Sequence, residues 1–238
     1  LTLLCSIFCK SGDYILVEEP SYFLALNIFR DFGLKIIPVK IEKDGINIVN
    51  LKEKIEEIKK SQKYLFLYSI PSFHNPTGYT MSDSKRVKLA DLCDEFDNFH
   101  VIADEVYQLL YFNTPPPLPL CYYHKKMISL GTFSKILAPS YRLGWIQTSG
   151  ELYKKIYGCG LLDSSGGVNP IGSFLVEPLL ENDILSNYLT KVRMELKNRC
   201  HTLTTYLKKY NNKLISFVEP QGGYFLWIDL LKLNSLDI

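Results

Sequence analysis

Tyr64-Leu65-Phe66-Leu67-Tyr68-Ser69-Ile70 and Val101-Ile102-Ala103-Asp104-Glu105-Val106-Tyr107 decide the fold. Both are short, nearly continuous apolar runs rich in aromatic and β-branched residues. That is the pattern of strands buried on both faces rather than on one. Between them, Ser82 stands where a helix cap is expected. Leu89, Leu92, Cys93 and Phe96 then follow at i, i+3, i+4, i+7 spacing, which predicts an amphipathic helix. A strand–helix–strand unit of this kind places its two strands parallel.

The same alternation extends outward. Upstream, Leu1–Phe8 reads as a helix stopped by Ser11-Gly12-Asp13, and Tyr14–Glu18 as a strand. Tyr22–Phe32 reads as a helix whose apolar side is Tyr22, Leu26 and Phe29, ended by Gly33. Leu34–Ile41 is a further strand, and Leu51, Ile55 and Ile58 mark a short amphipathic helix. Downstream, Met127–Phe133 and Leu143–Thr148 read as strands. The expected fold class is therefore α/β: a three-layer αβα large domain on a mostly parallel sheet, covering residues 1–183. Residues 184–238 are expected to form a linking helix and part of a smaller α+β domain. In that part Leu185, Leu189, Val192, Leu196, Leu203 and Leu207 mark the buried side of a helix over 184–210. Leu214–Val218 and Tyr224–Leu230 read as strands around a Pro220–Gly223 turn. Thr114-Pro115-Pro116-Pro117-Leu118-Pro119 reads as a stiff surface loop.

Composition narrows the function. The 238 residues are 47% hydrophobic and 22% charged, enough apolar material for a large core. The 27 basic and 25 acidic residues are mixed along the chain, with no basic stripe of the kind nucleic-acid binding needs. No apolar run is long enough to span a bilayer. No nucleic acid and no membrane are expected as partners, and a small-molecule site is the better expectation. Cys5, Cys9, Cys93, Cys121, Cys159 and Cys200 contain no C-x-x-C pair, and His74, His100, His124 and His201 are scattered. This predicts reduced thiols, a cytoplasmic location and no metal. The start at Leu1 within an apolar run, and the stop at Ile238 just after a strand-like segment, lead us to expect a fragment truncated at both ends.

Parallel sheets bind ligands beyond the carboxyl ends of their strands. Four polar segments fall there: Asn75-Pro76-Thr77-Gly78, Asp104 with Tyr107, Thr132-Phe133-Ser134-Lys135, and Arg142-Leu143-Gly144. Each is weak alone, since a lone lysine is usually solvated and a lone strand-end aspartate is usually a cap or an ion-pair partner. Together they suit one chemistry. A lysine amine forms a Schiff base with a carbonyl cofactor once it is deprotonated. A carboxylate against a pyridine nitrogen keeps that ring an electron acceptor. Hydroxyls and an arginine fork hold a phosphate.

With Gly12-Asp13 through Glu19-Pro20-Ser21-Tyr22, His74-Asn75-Pro76-Thr77-Gly78, Ala103 to Tyr107, Thr132 to Pro139, Arg142-Leu143-Gly144-Trp145 and Pro220 to Phe225, the chain resembles the fold-type I, pyridoxal-phosphate-dependent aminotransferases of class I/II. Within them it is most similar to the aminoadipate, kynurenine and aromatic branch. The resemblance implies pyridoxal 5′-phosphate as cofactor and Lys135 as both its anchor and the proton-moving base. It implies Asp104 on the pyridine nitrogen, Asn75 and Tyr107 on the phenolic oxygen, Tyr22 on the ring face, and Thr132, Ser134 and Arg142 on the phosphate. It implies amino acid and 2-oxo acid substrates and a homodimer. It also implies a phosphate-binding helix start upstream of Leu1 and a substrate-carboxylate arginine beyond Ile238. His74 is expected to be structural, Glu105 to point away from Asp104, and Trp145 and Trp227 to belong to the core. Ser164–Asn169 reads equally as a lid or a linker. Two alternatives stay open: a β-lyase on the same fold, and a non-catalytic, cofactor-binding regulator or truncated remnant.

Overall fold

The computed structural model describes residues 1–58, 62–165, 169–181, 183–209 and 214–231. In chain order the first elements are α1 (Thr2–Phe8), β1 (Tyr14–Glu19), α2 (Phe23–Asp31), β2 (Lys35–Glu42), β3 (Gly45–Ile46) and α3 (Ile48–Ile58). β4 (Leu65–Ser69), α4 (Asp83–Glu95), β5 (Phe99–Asp104), β6 (Met127–Thr132) and β7 (Gly144–Gln147) follow. Then come α5 (Gly150–Tyr157), α6 (Gly160–Ser165), α7 (Pro170–Leu180), α8 (Ile184–Lys209), β8 (Ile215–Phe217) and β9 (Ile228–Leu230). Seven strands form one sheet in the order β3-β2-β1-β4-β5-β6-β7. β1, β2, β4, β5 and β6 are mutually parallel, and β3 and β7 close the two edges antiparallel. The α/β class with a mostly parallel sheet is as expected.

The pleat shows why the central strands are apolar throughout. Ile15, Val17, Phe66, Tyr68, Ile102 and Ile128 face one core with α1 and α2. Leu16, Leu65, Leu67, Val101, Ala103 and Met127 face the other core, with α3 and α4. Successive residues thus alternate between two buried layers. The predicted stripe of α4 is buried along its length, and Ser82 caps the helix by accepting from the Lys85 N–H.

Several boundaries move. β5 ends at Asp104, so Tyr107 lies in the turn beyond the strand. α5, α6 and α7 occupy a stretch with no predicted helix. Asn169, expected in a loop, is the cap of α7, accepting from Gly172 N at 2.9 Å while its amide donates to Tyr141 O at 2.6 Å. Residues 166–168 of that loop, and residue 210 of the predicted long helix, lie outside the described residues. In α8 Leu189 is buried but Leu203 is 49% exposed, so the predicted apolar side holds only over the N-terminal half. Among the described residues no helix is long and apolar enough to cross a membrane.

His100 sits within β5, its ring 5.1 Å from Tyr64 and 5.5 Å from Phe66, with Nδ1 2.8 Å from Asn98 O. Burial lowers its pKa to about 4. Its folded value lies below its unfolded value of about 6.5, so its contribution is fully present above that pH. It is lost as pH falls toward 4, because only the unfolded chain takes up the proton there. Urea unfolding between pH 4 and 7 is expected to show His100→Phe losing up to about 3 kcal/mol less stability over that window than the parent.

Candidate active site

The strand ends gather most of the candidate residues on one side of the sheet. Asp104 closes β5 on the same face as Ile102 and Tyr68, two registers along from the Tyr68–Ile102 pair. It is 8% exposed, and the Tyr68 hydroxyl donates to its Oδ2 at 2.6 Å. Burial pushes the Asp104 carboxyl above the usual range. The Tyr68 hydroxyl, Lys135 and the Val106 N–H pull against that shift. Tyr68 in turn is pushed well above an ordinary phenol, by burial first and by the Asp104 charge second. It therefore stays a donor to the carboxylate.

Tyr107 is buried in the turn after β5. Burial and the Asp104 charge push its hydroxyl pKa up, and a hydrogen bond from the Asn75 side chain opposes them. Tyr22, half-buried at the cap of α2, stands close enough to be felt at the same hydroxyl. Tyr22, Asn75, Asp104, Tyr107 and Lys135 are thus brought together by direct contact or electrostatic reach. Lys135 itself is exposed on the turn after β6, and the Tyr224 hydroxyl donates to its carbonyl at 2.7 Å.

The phosphate candidates are arranged by their own turns. Thr132 Oγ1 donates to Leu143 O at 3.2 Å and accepts from Ser134 N at 3.1 Å, tying the end of β6 to the start of β7. Arg142 is exposed, with φ of +50°, and donates from Nη1 to Pro139 O at 3.3 Å. A non-glycine residue in the left-handed region costs about 1 kcal/mol or more, and such positions gather at functional sites. A cavity of about 470 Å³ opens between β7, α5 and the start of α7, and of the candidate residues only Arg142 lines it.

Glu105 points the other way, as alternation predicts. Its Oε1 lies 3.5 Å from the fully buried Arg86 and accepts from Leu120 N at 3.0 Å. Arg86, which the sequence places on a helix without a site role, also donates to Pro71 O, Ser72 Oγ, Met81 O and Leu118 O. It fastens the loop that carries Asn75 to the segment beyond Tyr107. Tyr68 is the other residue not anticipated. A phenol inside a fully buried, mainly apolar strand needs a partner for its hydroxyl, and that was the available signal. Trp145 packs on Phe133 at 5.1 Å between centroids, as expected of a core residue.

The chain is 30% identical over 235 residues to aromatic-amino-acid aminotransferase 1 of Thermococcus litoralis, covering 97% of this chain and 55% of that protein. It is 27% identical over 225 residues to an uncharacterised HTH-type transcriptional regulator of Bacillus subtilis, YisV, covering 94% of this chain and 45% of that protein. It superposes with a TM-score of 0.81, at 28% identity, on LysN, the α-aminoadipate aminotransferase of Thermus thermophilus, complexed with N-(5′-phosphopyridoxyl)-L-leucine. That match covers 97% of this chain and 59% of the other. The chain thus spans about half the length of the curated relatives it matches. The family model for aminotransferase class I and II matches residues 1–237, and the chain belongs to that pyridoxal-phosphate-dependent family.

Proposed function

We propose that the protein transfers an amino group from an L-amino acid of the aromatic, kynurenine or 2-aminoadipate type to a 2-oxo acid such as 2-oxoglutarate. The observation that carries this reading is the buried Asp104 carboxylate, held by Tyr68, with Lys135 in electrostatic reach and Tyr107 paired to Asn75 beside it. The residues present fit pyridoxal phosphate. A buried carboxylate suits a protonated ring nitrogen, two neutral donors suit a phenolic oxygen, and an exposed amine suits a carbonyl. When bound, that cofactor supplies the carbonyl that takes the amino group and the ring that accepts electrons.

The chain's own residues then divide the work. Asp104 would keep a proton on the ring nitrogen. Asn75 and Tyr107 would donate to the phenolic oxygen, and Tyr22 would lie against the ring. Thr132, Ser134 and Arg142 would hold the phosphate. Lys135 Nζ would anchor the carbonyl carbon and, once the substrate's amino group has displaced it, would be the free amine that accepts the α-proton. Residues 1–183 form the large cofactor-binding domain in this reading, and residues 184–238 part of the small one. The protein acts as a cytoplasmic homodimer. Aromatic and aminoadipate aminotransferases among the relatives support the donor class. The similarity to YisV favours a second reading, a cofactor-binding module within a transcriptional regulator.

Visible absorbance of the full-length protein with pyridoxal phosphate separates these readings. A band that Lys135→Ala abolishes, and that an aromatic or 2-aminoadipate donor bleaches with release of its 2-oxo acid, is the expected result. No lysine-dependent band would sink the site assignment, and a band that no amino acid disturbs would select the regulator. Titration of the same protein tests Tyr68. Losing one hydrogen bond to a charged acceptor is worth about 1.5–3 kcal/mol. Tyr68→Phe is therefore expected to weaken cofactor binding by roughly tenfold or more, while Tyr206→Phe, on exposed α8, leaves it unchanged.

A further inference from the structure

Glu18, at the end of β1, is only 3% exposed, and its contacts reach two other segments, the end of β4 and the loop of His74. Oε1 accepts from Ser69 Oγ at 2.7 Å, and Oε2 accepts from Ile70 N at 2.8 Å, both at the end of β4. Oε2 also lies 3.2 Å from Nε2 of His74, itself 3% exposed, without the alignment of a full hydrogen bond. On the other side of the ring, Nδ1 lies 2.9 Å from Thr77 Oγ1 and accepts from the Thr77 N–H at 3.4 Å. An Nδ1 that accepts leaves Nε2, the nitrogen on the carboxylate's side of the ring, to carry the N–H. The loop is closed by Gly78 N to His74 O at 2.6 Å and His74 N to Tyr79 O at 2.8 Å. Asn75 sits inside that closed turn, next in sequence to His74. Glu18 is also four residues before Tyr22.

We infer that Glu18 and His74 are positioning residues: a buried acid–imidazole pair that holds the Asn75 amide against the Tyr107 hydroxyl. The physical reason is economy of partners. A carboxylate buried this deeply needs polar partners: two hydrogen-bond donors come from the β4 end, and the His74 Nε2 lies 3.2 Å away. Each donor it takes fixes the segment that carries it. The Asn75 loop is thereby bound to the same strand end that leads into the Tyr22 turn. Arg86 holds the far side of the loop through Pro71 O and Met81 O. It touches neither Glu18 nor His74 among the contacts described, so the two fastenings are separable by mutation.

The inference rests on the aminotransferase reading only for the spectroscopic arm of its test. In the full-length protein without added cofactor, hydrogen exchange is followed by mass spectrometry in the parent, Glu18→Gln, His74→Phe and His74→Gln. Glu18→Gln and His74→Phe are expected to speed exchange over residues 72–79 by about tenfold or more, with α4 unchanged. His74→Gln, whose amide can still donate toward Glu18, is expected to recover most of the protection. With pyridoxal phosphate bound, the pH midpoint of the lysine-dependent absorbance band is then read. A donor held on a phenolic oxygen favours its ionised form, so the same two variants are expected to raise the midpoint by about half a unit. His74→Gln should return it toward the parent.

Unchanged exchange over residues 72–79 in both Glu18→Gln and His74→Phe overturns the inference. So does faster exchange with a midpoint that stays at the parent value. If no lysine-dependent band forms in the parent, the aminotransferase reading fails, and the exchange pattern alone decides whether the pair holds the loop. A global rise in exchange in His74→Phe reports misfolding of that variant, and the near-isosteric Glu18→Gln then carries the decision.

Discussion

The site depends on one carboxylate that is expensive to bury. Asp104 sits at the end of a central parallel strand, facing a layer made mostly of apolar and aromatic side chains. Burial there opposes its charge, and the Tyr68 hydroxyl and the Val106 N–H offset part of that opposition. Tyr68 can do so because it lies on the neighbouring parallel strand and faces the same side. Parallel register, not local sequence, puts donor and acceptor together. The same carboxylate then raises the pKa of both flanking phenols, Tyr68 and Tyr107, so that each remains a proton donor. Burial and one charge at a strand end thus act together to keep both phenols protonated.

The next residue shows how economically the pleat uses charge. Glu105 follows Asp104 and faces the opposite layer, where Arg86 and the Leu120 N–H meet it. Arg86 is lowered by burial and Glu105 raised by it, so neither gains much net stability from the pair. What the pair supplies is register: the Arg86 donors reach Pro71 O, Met81 O and Leu118 O, and the loops on either side of Asp104 cannot slide. Two consecutive acids therefore act on opposite faces, one in the site and one beneath it.

The sequence was legible where periodicity was strong. Phe66 to Tyr68, Val101 to Asp104 and the α4 stripe were readable because each apolar residue meets a core, and strand ends then named Asn75, Asp104, Lys135 and Arg142 by position. Legibility failed where the deciding contact is long-range. Nothing within α4 says that Arg86 is buried, because its partners come from the loops at Pro71 and Leu118. Tyr68 reads as one more apolar strand residue until Asp104 is placed beside it. α5, α6 and α7 went unseen because their exposed apolar residues, Tyr153, Ile171 and Phe174 among them, blur the helical period. The cap at Asn169 was hidden by the Ser and Gly residues before it, which read as loop.

The C-terminal segment bears on the site more directly than its small share of the core suggests. Phe112 N bonds Gln221 O and Gly223 N bonds Leu110 O, so the turn after Pro220 is stitched to the segment just beyond Tyr107. Gly222 makes this possible: a Cβ there would lie 2.6 Å from the Phe73 ring and 2.7 Å from Leu110 O. Gly78, at φ of +71°, does the same for the Asn75 loop, where a Cβ would lie 2.7 Å from Phe225 O. Past the turn, Tyr224 and Phe225 pack edge-on to Tyr107 at 5.9 and 5.6 Å, and Tyr224 reaches the Lys135 carbonyl. One short segment therefore touches the turns of Asn75, Tyr107 and Lys135 together. The candidate site therefore has one wall supplied by the sheet, at Asp104, and another to which the segment after Pro220 contributes.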